Sequence, residues 1–219
     1  MENPMKYDVE IVENENLYQG FLGINRFHIR HSLFAGGISP VIVRERVESF
    51  QAASILLYDP HLDLVVMIEQ FRIGAIDDPG GAWILEVIGG VIEKGETPEQ
   101  VARREAVEEA GCPVGRLEPI CNFMVSPGFS TERIFLFCGE VDASSAGGIH
   151  GLAQEGEDIR VEVLPSEELI GELYGGRINC TSAIIAVQWF VMNRQRLRQE
   201  WTTGAPMPQS SGPQRDGEV

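Results

Sequence analysis

GGVIEKGETPEQVARREAVEEAGC, residues 89–112, is the stretch on which the fold turns. Thr97 is a helix N-cap, Pro98 suits the first helical position, and Gln100 completes a capping box. Gly111 closes the same helix as its C′ residue. At about 100° per residue, Ala102, Ala106 and Ala110 form one stripe of small side chains, which lets the helix lie close against a sheet. Glu105, Glu108 and Glu109 fall within an arc of roughly 100° on another face. Glu105 and Glu109 are spaced i, i+4, so both carboxylates can turn toward one hard cation. The glycine-bounded segment Gly89–Glu96 can bend and bring a backbone carbonyl beside that helix. Taken alone, three glutamates also suit an acidic face turned to solvent and tempered by Arg103 and Arg104.

Around this stretch lie apolar runs of strand length: Ala52–Tyr58, Leu64–Ile68, Trp83–Ile88, Ile120–Met124, Ile134–Cys138 and Ile159–Leu164. Turn signals such as Asp59-Pro60 and Asp78-Pro79-Gly80-Gly81 separate several of them. Residues 1–45 contain a further strand-like stretch, Tyr18–Arg30. Ser166–Leu173 and Ser182–Gln199 read as helices. The second ends in Arg194, Arg196 and Arg198, which suit a helix C-terminus and solvation better than a binding patch. Residues 202–219 are rich in Gly, Pro, Ser and Gln and are expected to be disordered.

The 219 residues carry 33 acidic and 17 basic side chains, a net charge of −16. That balance argues against nucleic acid as a partner. A phosphorylated substrate would need divalent cations to turn repelling carboxylates into a scaffold. With 43% hydrophobic and 23% charged residues, the chain is neither disordered, collagen-like nor a coiled coil. The start shows no basic region followed by an apolar run, and the longest apolar stretch, Ala183–Met192, is about half a membrane span. Cys112, Cys121, Cys138 and Cys180 lack any C-x-x-C pattern and are expected as reduced core thiols. A cytoplasmic protein with no membrane partner is the expectation. There is no G-x-S-x-G, no phosphate-binding loop of the G-x-x-x-x-G-K type and no H-E-x-x-H.

Gly90, Glu96, Arg104, Glu105, Glu108, Glu109 and Gly111 fill every fixed position of the Nudix box, so the chain resembles the Nudix hydrolases. Ala106 and Cys112 are smaller than the usual aliphatic residues, which bears on packing more than on chemistry. The flanks Ile68-Glu69-Gln70-Phe71-Arg72, Trp83-Ile84-Leu85-Glu86, Ser126-Pro127-Gly128 and Gly151–Asp158 resemble the ADP-ribose pyrophosphatase branch, with Pro127 as a mark of it. The likeness runs from about Tyr18 to Trp201. It implies an α/β fold with a mixed sheet sandwiched between helices. It also implies an N-terminal antiparallel β segment (1–45) for dimerisation and substrate, then a hydrolase domain (46–201).

A diphosphate bond resists water because its oxyanions repel nucleophiles, so cleavage needs charge neutralisation and a positioned hydroxide. The resemblance implies Mg²⁺, with Mn²⁺ able to substitute, held by Glu105, Glu109, Glu157 and the Gly89 carbonyl. Glu155, in the loop His150–Asp158, corresponds to the general base. Glu108 is a further catalytic carboxylate, and Arg104 is expected to brace the loop by pairing with Glu96. Arg72 is placed to reach the phosphates, with Glu86 beside the substrate. Arg44, at the end of the N-terminal segment, is a further candidate cation for the substrate; Phe21 suits the adenine, and Ser126 and Glu132 the terminal ribose. In this branch a homodimer exchanges its N-terminal strands, so a partner helps build the pocket. The implied reaction is hydrolysis of ADP-ribose to AMP and ribose 5-phosphate. Two alternatives stay open: another nucleotide sugar such as ADP-glucose or GDP-mannose, and a non-catalytic domain sensing ADP-ribose or NAD-related ligands.

Overall fold

The computed structural model describes residues 7–203. The capped helix forms as its sequence dictates, as α1 (Pro98–Ala110). The Thr97 side chain accepts from the Gln100 N–H at 3.3 Å, and Gln100 Oε1 accepts from the Thr97 N–H at 2.8 Å. Gly111 closes the helix in the left-handed region at φ 66°. Val101, Ala102, Ala106 and Ala110 are buried against Ala53, Ile55, Val66, Ile68 and Ile88 of a sheet. With alanines making most of the contact, helix and sheet approach closely, and the carboxylates on the other arc inherit a rigid base.

That sheet runs in the order β10 (Gly148–His150), β11 (Ile159–Pro165), β5 (Leu64–Phe71), β4 (Gln51–Asp59), β9 (Arg133–Glu140), β8 (Leu117–Met124). β4 and β9 are parallel and the other pairs antiparallel, so the sheet is mixed. Alternation along β5 sends Val66 and Ile68 toward α1, and Val65 and Met67 to the opposite face. The opposite face packs on α3 (Thr181–Thr202) through Ala183, Ala186, Val187 and Phe190, with α2 (Ser166–Gly175) adding Leu169. The sheet thus lies between helices, as expected.

The run Trp83–Ile88 is two strands. β6 (Trp83–Glu86) pairs with β5, and β7 (Ile88–Val91) pairs with β4. The chain changes partner at Val87, and hydropathy alone carries no mark of that switch. The stretch Tyr18–Arg30 likewise contains a reversal. β1 (Val9–Gln19) turns at Gly20–Leu22 into β2 (Gly23–His31), and β3 (Ile42–Glu48) completes an antiparallel sheet of three strands. This sheet joins the β8–β9 connection through Val47 N–H to Phe129 O at 2.7 Å and Thr131 N–H to Val47 O at 3.1 Å.

The arginines of α3 do more than face solvent. Arg194 and Arg198 both pair with Asp63, and Arg196 forks onto Glu118. Asp63 sits at φ 58° in the β4–β5 turn and also accepts from the Tyr58 and Ser166 hydroxyls. Cys112 and Cys138 are buried thiols, whereas Cys121 is exposed and Cys180 half-buried; all four are free. Among the described residues no helix is long and apolar enough to cross a membrane. The expectation of disorder for the C-terminal tail falls on residues 204–219, outside those described; Thr202 itself ends α3.

Candidate active site

Glu109 is the most deeply placed carboxylate of the box, only 3% exposed. Its Oε2 accepts from the Gly89 N–H at 3.0 Å, which ties α1 to β7. Burial pushes its pKa up to about 8; the Gly89 bond and Arg72 oppose the rise, and Glu105 and Glu157 reinforce it. Glu105 lies one turn earlier, directly over Gly90. A Cβ at Gly90 would fall inside the Glu105 carboxylate and 2.9 Å from its Cγ, so this position admits only glycine while Glu105 stays where it is. Burial also raises the Glu105 pKa, with Arg104 opposing and Glu108 and Glu157 adding to it.

Arg104 organises the remaining acids. It binds Glu105 at 2.8 Å, Glu108 at 3.0 Å and Glu96 at 3.1 Å. The Glu96 carboxyl, held by Arg104 and by the Glu93 N–H, is kept below its ordinary range. The box loop is therefore latched to the helix that follows it, as the spacing of Glu96 and Arg104 suggests.

Glu157 arrives from the β10–β11 connection. Its Oε2 accepts from the Leu152 N–H at 2.9 Å. Gly151, at φ 97°, permits the turn; a Cβ there would stand 2.7 Å from the Glu157 Cβ. Glu155 closes a short 3₁₀ turn, Ala153–Glu155, and its side chain lies outside the described residues. Among the described residues, no three ligand-type side chains converge tightly enough to hold an ion as they stand. Glu105 and Glu108 are drawn to Arg104, and Glu157 to a backbone N–H. The donor set nonetheless suits a hard divalent cation. Glu105 and Glu157 raise the cost of ionising Glu109, and Glu108 and Glu157 that of ionising Glu105, a debt that a cation relieves.

Arg72 donates to Glu86 at 2.7 Å; burial raises the Glu86 pKa and Arg72 opposes it. Arg72 lines a cavity of about 340 Å³ together with Gln70, Trp83, Glu157 and Asp158. The other expected substrate residues lie elsewhere in the chain. Arg44 lines a separate cavity of about 230 Å³ with Phe27, Pro127 and Phe129. Phe21 stands at the β1–β2 turn, 83% exposed and touching Phe50 at 5.1 Å between ring centres. Ser126 and Glu132 bound the β8–β9 connection, closed by Val125 N–H to Glu132 O at 3.1 Å. Hydrogen bonds and charge coupling thus link Gly89, Glu105, Glu109, Glu157, Arg72 and Glu86, of which Arg72 and Glu157 line that cavity; Arg44, Phe21, Ser126 and Glu132 do not line it. Gln70, Trp83 and Asp158 had no assigned role. The available signal was Gln70 itself, a polar side chain that follows Glu69 at the end of an otherwise apolar strand.

A model of the NUDIX domain matches residues 49–182. The chain belongs to the NUDIX family. Among its relatives, the ADP-ribose pyrophosphatase of Escherichia coli K12 is 47% identical over 196 residues, covering 90% of this chain and 94% of the relative. That of Haemophilus influenzae is 45% identical over 197 residues, covering 89% and 91%. The GDP-mannose pyrophosphatase of Pectobacterium atrosepticum is 32% identical over 189 residues, covering 84% and 94%. The crystal structure of an ADP compounds hydrolase superposes with a TM-score of 0.65 at 17% identity, covering 93% of this NUDIX chain and 98% of the other; that likeness is one of fold.

Proposed function

We propose that this protein hydrolyses the diphosphate bond of ADP-ribose, giving AMP and ribose 5-phosphate. The observation that carries the reading is a complete Nudix box with Glu109 buried beside Gly89 and Glu105, in a chain 45–47% identical to ADP-ribose pyrophosphatases over nearly all its length. Glu105, Glu109, Glu157 and the Gly89 carbonyl would hold Mg²⁺, for which Mn²⁺ could substitute. When bound, the ion neutralises phosphate charge and makes water more acidic. Arg104, latched by Glu96, keeps Glu105 and Glu108 on the substrate side of α1. Arg72, oriented by Glu86, meets the diphosphate oxygens. Glu155 takes the proton from the attacking water, on a loop whose glycines allow closure. The water oxygen bonds to one phosphorus, and the bridging oxygen departs with the other phosphate.

In this reading the protein is a homodimer with exchanged N-terminal strands. Phe21, Arg44, Ser126 and Glu132 of one subunit complete the adenine and ribose contacts of the other, with residues 1–45 as the exchanged segment and 46–201 as the hydrolase domain. Two features support it. Every residue of β1 is exposed, apolar Val9, Ile11 and Tyr18 included. Arg44 and the Pro127 turn share a cavity that lacks the box carboxylates. Four free thiols suit a reducing cytoplasm. The test is a panel of ADP-ribose, ADP-glucose and GDP-mannose with Mg²⁺, products resolved by chromatography. AMP released from ADP-ribose at far higher kcat/KM than product from the others is expected. A preference for GDP-mannose would replace the substrate assignment.

A further inference from the structure

Glu69 and Glu162 are diagonal neighbours on the adjoining strands β5 and β11, on the sheet face that Val65 and Met67 turn to α2 and α3. Their side chains are only 17% and 18% exposed, so the two carboxylates would repel each other there. Two arginines prevent it. One nitrogen of Arg160 bridges both acids, binding Glu69 and, at 3.1 Å, Glu162. Arg177 donates to both Glu162 oxygens at 2.7 and 2.8 Å and lies 3.5 Å from Glu69. The four side chains form a closed ring of alternating charge. Arg177 is set in place by its own backbone, whose N–H donates at 3.1 Å to the Glu172 carbonyl in the last turn of α2. A lone surface ion pair holds little, but in this ring each charge orders two neighbours.

The ring stands where the strands hand over to the site. Arg160 opposite Glu69 is the last pair of the β5–β11 ladder, and beyond it these two strands share no further pair. Arg72 lies three residues past Glu69, Glu157 lies three residues before Arg160, and both line one cavity. The end of a ladder is where strands part most readily, and the ring clamps this one. From this geometry we infer that Arg160 is a positioning residue for the proposed hydrolysis: through Glu69 and Glu162 it staples the two strand ends and fixes the distance from Arg72 to Glu157. The inference rests on that reaction and adds a residue that touches neither substrate nor metal. A diphosphate held by Arg72 is thereby kept in register with the Glu157 carboxylate. A slack ladder end spoils that register while each side chain keeps its own grip, so the loss falls on the chemical step more than on binding.

Two measurements on the full chain test it, with Arg196→Ala as the control. Arg196 and Glu118 pair in a comparable setting, 39% and 16% exposed, but they join α3 to β8 at the opposite edge of the sheet. The first measurement is steady-state hydrolysis of ADP-ribose. Arg160→Ala should lower kcat about tenfold, the effect of a shift smaller than an ångström, and change KM by less than about threefold. Because a single nitrogen bridges the two acids, an ammonium can stand in for it, and Arg160→Lys should recover most of the loss. Glu69→Gln combined with Arg160→Ala should cost no more than the worse of the two single changes. The second measurement is deuterium uptake by the amides of residues 151–158 without substrate. It should quicken about threefold or more in Arg160→Ala and stay put in Arg196→Ala. Unchanged uptake, additive losses, a loss carried by KM, or a fall in kcat that Arg196→Ala matches overturns the assignment. If wild-type protein left ADP-ribose whole, the proposed reaction would fall, and faster uptake in Arg160→Ala alone would leave the strand clamp standing. If Arg160→Ala cleaved ADP-ribose as fast as the wild type, the positioning role would fall alone.

Discussion

Replacing Gly90 with alanine should separate stability from activity. Gly90 is not among the residues at positive φ, so its backbone accepts alanine without strain. The added methyl overlaps the Glu105 carboxylate and comes within 2.9 Å of its Cγ, closer than ordinary contact at 3.4–4 Å. Ordinary separation is restored only if the carboxylate withdraws by roughly 1–2 Å. Glu105 is the mobile end of a flexible side chain, so this retreat costs little folding free energy, and the reduced entropy of the unfolded chain offsets part of it. The expected change in melting temperature is within about 3 °C. Activity should respond differently. A displacement of about 1 Å at a reacting centre costs on the order of 10²-fold in rate. Steady-state hydrolysis of ADP-ribose, with a calorimetric scan on the same preparation, reads both quantities. Gly89→Ala is the contrast. Its methyl would meet Ser54 Oγ at 2.6 Å and the Ala53 backbone oxygen at 2.8 Å, and backbone cannot swing aside. That variant should lose about 1–3 kcal/mol of stability. If Gly90→Ala kept more than a third of wild-type kcat, the position of Glu105 would have no part in the reaction.

Glu109→Gln should lose turnover and keep its fold. The native carboxyl is raised from its ordinary range to about 8, so without metal its contribution to stability is fully present below about pH 4.5 and falls as pH rises toward 8, by up to about 1.4 kcal/mol per pH unit. Denaturant titrations of metal-free protein should show this decline in the wild type, and Glu109→Gln should lack that component; equal slopes would contradict it. Asp63 behaves in the opposite sense. Hydrogen bonds from Arg194 hold its pKa at about 2, below the usual 3.8. The difference corresponds to about 2 kcal/mol, present above pH 4 and lost as pH falls toward 2. Asn tolerates the φ of 58° at this turn, so Asp63→Asn should remove that acid transition without straining the backbone. Arg72→Ala should raise KM for ADP-ribose by about tenfold or more, since a charge-assisted contact to phosphate is lost; an unchanged KM would remove Arg72 from the substrate. Mixing inactive Glu109→Gln with inactive Arg44→Ala, after dissociation and reassembly, should restore about a quarter of wild-type activity if sites are shared across the dimer. No recovery would place both residues' roles in one subunit.

The helix that carries the site was legible because its signals are local. Thr97, Pro98, Gln100 and Gly111 each act within one turn of chain, and the latch from Glu96 to Arg104 spans eight residues. What escaped reading depends on distant partners. Asp63 meets Arg194 across 131 residues, so three arginines at a helix end looked like simple solvation. β1 is exposed along its whole length, so no alternation of burial marked it, and the reversal at Gly20–Leu22 was absorbed into one strand. Val87 changes partner strand within an unbroken apolar run. Gln70 and Trp83 sat in segments notable for their neighbours, and only the cavity they line with Arg72 and Glu157 brings them to the site.

The most direct test of the whole account is release of AMP from ADP-ribose by the wild-type chain and by Glu109→Gln, each with Mg²⁺ and with chelator. The account predicts rapid AMP formation by the wild type with Mg²⁺ alone and less than about a tenth of that rate in the variant, a barrier difference of more than about 1.4 kcal/mol. Wild-type protein that leaves ADP-ribose whole, or a variant that matches it, would contradict the account.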